Sequence, residues 1–109
     1  MTDETVRLPS GASVRVRDFI VFRGNAGSTL TIVVQGRAEV HDVPRTASEA
    51  QELANVVDEF ARRKRIDRIA INICETAECL ANSARATMIF YFRRAADGLW
   101  AADGVIINS

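Results

Sequence analysis

TASEAQELANVVDEFARRKRIDRIAINIC, residues 46–74, sets an amphipathic helix almost directly against an amphipathic strand. Thr46-Ala47-Ser48-Glu49 fits a capping box, in which the threonine hydroxyl accepts from a free backbone N–H and the glutamate reaches back to another. Behind it Ala50, Leu53, Ala54, Val57, Phe60 and Ala61 recur at spacings of three and four, so one apolar stripe runs along a helix predicted over 47–64. At 1.5 Å per residue that helix is ~27 Å long, about the span of an eight-residue strand, and can lie across a sheet. Arg68 to Cys74 then alternates, with Ile69, Ile71 and Ile73 on one side and Ala70, Asn72 and Cys74 on the other.

Upstream, the chain reads as strands broken by turn residues. Thr5 to Leu8 precedes Pro9-Ser10-Gly11, and Ser13 to Arg17 alternates valine with arginine. Phe19 to Phe22 is apolar on both faces; a loop at Gly24-Asn25-Ala26-Gly27-Ser28 then leads into the β-branched run Thr29 to Gln35, predicting a hairpin. Gly36 marks a bulge before Arg37 to Val43 continues or bends away. Downstream, Glu75 to Arg85 reads as a connection with one helical turn, and Thr87 to Arg93 as a central strand. Ala95-Ala96-Asp97-Gly98 closes a hairpin onto Leu99 to Ala102, while the repeated Ala101-Ala102-Asp103-Gly104 is a bulge or a further turn before Val105 to Ile107.

This order argues for one α+β domain over residues 1–109, with residues 1–4 loose, a mainly antiparallel curved sheet and one long helix on one face. The alternative is a parallel strand-helix-strand crossover in the middle of the chain. One helix covers one face only, yet Phe19 to Phe22, Ile32 to Val34, Met88 to Phe92 and Val105 to Ile107 are apolar on both. A large apolar side chain left in water forgoes ~1.5 to 3 kcal/mol. The second face therefore needs a cover: a curled sheet, a second copy, or a ligand in a pocket between helix and sheet.

Fourteen basic and fourteen acidic side chains cancel, so no long-range field gathers a polyanion and nucleic acid is not an expected partner. No run approaches the ~20 apolar residues of a membrane span. The acidic start Met1-Thr2-Asp3-Glu4 does not read as a signal peptide. The expected location is the cytoplasm, with a removed leader left open.

Each chemical motif has a plainer explanation beside it. Cys74 and Cys79 lack the further donors of a zinc site, since His41 is the sole histidine, and they read as two unpaired buried thiols rather than a disulfide. Arg62, Arg63, Arg65 and Arg68 form a candidate anion or RNA patch, although cations at a helix end also answer its dipole. Leu53, Val57, Phe60 and Phe90 are the candidate lining of a small-molecule pocket. Asp58 and Glu59 read as solvated helix surface, Asp97 and Asp103 as turn formers, and Trp100 as a core or rim anchor. No phosphate loop or nucleophile elbow occurs, and neither a cofactor nor a metal is called for. The expectation is a non-catalytic interaction or ligand-binding domain that pairs with itself through a sheet face. An enzyme or carrier with a pocket between helix and sheet is the alternative, and anion or RNA contact at the basic helix end the third reading.

Overall fold

The computed structural model describes residues 4–25, 27–36, 43–75, 79 and 86–107. Its elements are β1 (Glu4–Arg7), β2 (Ser13–Gly24), β3 (Gly27–Gln35), α1 (Val43–Val56), α2 (Asp58–Arg63), β4 (Arg68–Cys74), β5 (Met88–Arg94) and β6 (Trp100–Ile107). The six strands form one sheet in chain order, and every neighbouring pair is antiparallel except β3 and β4. The antiparallel reading and its parallel alternative thus coexist in an α+β fold. A helical crossover about as long as a strand returns the chain to the end where β3 began, so β4 must run alongside it in the same direction.

The strands face as their alternation dictates. Leu30, Ile32 and Val34 of β3, Ile69, Ile71 and Ile73 of β4, and Met88, Phe90 and Phe92 of β5 form the main core with Ala50, Leu53, Ala54 and Ala61 of the helices. In β2 a register shift between Val16 and Asp18 changes the phase. Val14 and Val16 face the core before it, Phe19 and Val21 after it, which joins two stretches that read as separate strands. Glu4, read as part of a loose N-terminus, opens β1 and pairs with Val16.

The single long helix expected over 47–64 is instead two. α1 starts at Val43, with Pro44 in its first turn, where a missing N–H leaves no bond unmade. Thr46 lies inside that turn and does not mark the boundary. The helix breaks at Val57, whose φ of −88° and ψ of 5° lie in the bridge region. The adjacent β-branched pair Val56-Val57 is stiff and a poor helix former, and Asp58 and Glu59 then supply acidic charge to the first turn of α2. Gly36 is not a bulge but the residue after β3, its N–H donating to the Cys74 carbonyl at 2.6 Å. The expectations for residues 37–42 and for a helical turn within 76–78 and 80–85 lie outside the described residues. The repeated Ala-Ala-Asp-Gly proves to be a bulge: Phe92 pairs with Ala102 and Tyr91 with Gly104, leaving Asp103 extra.

Cys74 and Cys79 are joined in a disulfide, with Cα atoms 5.4 Å apart, where free thiols were expected. The bond attaches Cys79 to the end of β4 on the face away from the helices, and Cys79 packs with Val33, Cys74, Ala86 and Ile89 in a second, smaller cluster.

Candidate functional site: the open sheet face and its free edge

Opposite the helices, the register lays side chains in cross-strand rows. One row runs Phe22, Thr29, Arg68, Arg93 and Ala101; the next runs Ile20, Thr31, Ala70, Tyr91 and Gly104; a third runs Asp18, Val33, Asn72, Ile89 and Ile106. The chain covers part of this face itself, since Val33 and Ile89 lie under the disulfide-bound cluster. Elsewhere it is exposed in part among the described residues. Phe22 is 56% exposed and Tyr91 37%, and between their strands the smaller Thr31 and Ala70 form a buried floor. Asn72 is only 7% exposed, and its Oδ1 has no hydrogen-bond partner among the described residues.

The two edges of the sheet differ. β1 is four residues long and carries Glu4 and Arg7 at its ends, the short and charged form that discourages further pairing. β6 is eight residues long and ends in Val105, Ile106 and Ile107, which are 48%, 45% and 56% exposed. Val105 and Ile107 lie across from Phe90 and Met88 on the helix side, Ile106 across from Ile89 on the open side. The last four residues of β6 carry no charge and no proline, and no described strand pairs with its outer side.

The residues anticipated as a pocket are spread through a filled core. Phe90 and Leu53 are buried, Val57 and Phe60 half-buried against them, and the Phe60 ring meets Phe19 edge-on at 4.9 Å. Only Leu53 of the four lines the cavity beneath α1, which it shares with Val14, Val34, Ala50, Ile71 and Ile73 under a polar mouth including Gln35 and Glu49. Its volume is about 40 Å³, room for a water or two. Pockets for organic ligands run to several hundred Å³.

The basic run does not act as one patch. Arg62 is committed to Asp58, its Nε donating to Oδ2 at 2.7 Å. Arg63 and Arg65 are exposed at the helix end, whereas Arg68 has crossed to the open face beside Arg93. Arg93 pairs with Asp103 at 3.4 Å; Arg68 has no ion-pair or hydrogen-bond partner among the described residues. Arg23 joins this end of the molecule through Ser28 Oγ at 3.0 Å and the Lys64 carbonyl at 3.0 Å.

Asp58, read as solvated, is the hub of a buried-edge network. Its Oδ1 accepts from Arg94 Nη1 at 3.0 Å and from Trp100 Nε1 at 2.9 Å, and the Arg94 guanidinium lies over the indole, 4.3 Å from its centroid. Burial alone raises the Asp58 pKa, but the bonds from Arg62, Arg94 and Trp100 outweigh it and hold the carboxyl below the ordinary aspartate value. This network binds α2 to the β5–β6 hairpin. Both carboxylate oxygens accept at least one of these bonds.

Among the described residues, no three His, Cys, Asp or Glu side chains converge as metal ligands, and no helix is long and apolar enough to cross a membrane. No protein-family model, curated protein or solved structure matches the chain.

Proposed function

We propose that the protein is a non-catalytic interaction domain that associates with a second copy of itself through β6. The outer edge of that strand, unpaired among the described residues, carries the reading: its last four residues are uncharged and apolar but for Gly104, a template for strand addition, while the opposite edge is short and charged. Antiparallel pairing of two identical strands is a two-fold contact, in which each copy presents the same edge to the other and the pairing closes after two copies. The two-fold axis of such a pair stands perpendicular to the sheet, so both helical layers lie on one side and both open faces on the other.

Burial of Val105 and Ile107 beside the partner strand removes apolar surface that α1 and α2 do not reach. The cavity between α1 and the sheet is too small for an organic ligand, which favours this reading over a carrier that holds its ligand there. Sedimentation across the micromolar range tests it: the wild-type chain is expected at twice its monomer mass, and Ile106→Lys, which puts a charge on the edge, is expected to weaken association about tenfold or more with the thermal melt little changed. A wild-type chain that stays monomeric throughout, or an Ile106→Lys chain that dimerises as well as wild type, overturns the proposal.

A further inference from the structure

We infer that the open face, at the end bearing Phe22 and Arg68, binds single-stranded nucleic acid. The chain is neutral as a whole, but its charge is unevenly placed. On the open face itself Arg68 and Arg93 stand side by side at the start of β4 and the end of β5, while Arg23 and Lys64 meet at the same end of the molecule on the helix side. Of the nearby acids, Asp103 pairs with Arg93 at 3.4 Å, and Asp67 accepts from the Ser28 N–H at 3.0 Å and keeps its charge.

One feature of this end opposes stability and is relieved by an anion. Arg68 and Arg93 stand directly across from each other on neighbouring strands, and like charges so placed repel. A phosphate backbone passing over Arg68 and Arg93 removes the repulsion between them.

The aromatic rings identify which polyanion fits. Phe22 lies in the same row as Arg68, two strands away, and Tyr91 is the diagonal neighbour of Arg68 on β5. Both rings are exposed on a face whose middle is occupied by threonine and alanine. An acidic peptide offers nothing to stack on such rings, and a duplex keeps its base faces inside, whereas a single strand presents phosphate and base together.

Fluorescence polarisation with labelled oligouridine or oligothymidine tests the inference, with a duplex of equal length and polyglutamate as the other arms. The single strand is expected to bind best, with a log K against log salt slope near −2 for about three phosphates. Phe22→Ala and Tyr91→Ala are each expected to weaken binding ~5- to 150-fold, and Arg68→Ala to flatten the slope by ~0.7. All three side chains are exposed, and a thermal melt of each variant shows whether the fold is retained. Absence of binding in low salt, equal binding of duplex or polyglutamate, or aromatic variants that bind like wild type overturns it.

Discussion

Asp58 shows how much of this structure depends on single side chains reaching across the fold. One carboxylate accepts from Arg62 on its own helix and from Arg94 and Trp100 on the far hairpin. Replacing it with alanine strands two partly buried donors, a cost of about 1 to 3 kcal/mol, and urea unfolding of Asp58→Ala is the measurement. The pH dependence follows from the lowered pKa. A carboxyl depressed in the folded state contributes its stability above the unfolded aspartate value of ~3.9, and that stability drains away as pH falls from there through the folded pKa. Wild type should therefore lose an increment of stability on acidification that Asp58→Ala lacks; parallel curves for the two proteins exclude it. Sequence reading placed Asp58 on a solvated surface because its partners lie 36 and 42 residues away, beyond any local pattern. Arg65 makes the opposite case. The Arg65 N–H donates to the Arg62 carbonyl at 3.2 Å and the Ile66 N–H to that of Ala61 at 2.8 Å, the paired bonds of a Schellman stop, with arginine in the left-handed position. Arg65→Gly is expected to stabilise the fold by about 1 kcal/mol, read as a higher urea midpoint.

Among the elements, what periodicity could show and what it could not separate cleanly. The helix stripe and the isoleucine alternation of β4 were legible because each repeats within a few residues. The break at Val57 was not, since Leu53, Val57 and Phe60 keep their spacing across it and all pack against the core. Alternation assigns side chains to faces but says nothing of a strand's partner or direction, so the parallel β3–β4 pair stood only as an alternative. The disulfide was missed for a related reason. Spacing of five residues allows the bond, and only the turn of the chain after β4 brings the two sulfurs together. Its effect is calculable from that spacing: closing so short a loop in the unfolded chain is worth about 2 kcal/mol on the chain-entropy account. Urea unfolding with and without a thiol reductant should show a loss of that size, and the Cys74→Ser, Cys79→Ser double variant should show none on adding reductant. If reduction leaves wild type unchanged, the bond is not holding the cluster over Val33 and Ile89.

Across the whole molecule, stability is graded from the middle of the sheet to its rims. β3 and β4 carry the fully buried Leu30, Ile32, Ile69 and Ile71 and are paired on both sides, so their amides should exchange only on global unfolding. β1, mostly exposed and paired on one side, should open locally and exchange fast. As a lone edge, β6 would resemble β1, with half its backbone groups facing water. As one side of a strand-paired dimer it becomes an interior strand, and mass action then ties its protection to protein concentration. Hydrogen exchange at two concentrations on either side of the dissociation midpoint separates these cases. The β6 amides that do not pair with β5 should slow at the higher concentration, while the amides of β1 exchange at the same rate in both. Slowing confined to the open face at Phe22 and Tyr91, with β6 indifferent, would mean that copies meet face to face and that the edge is not the contact.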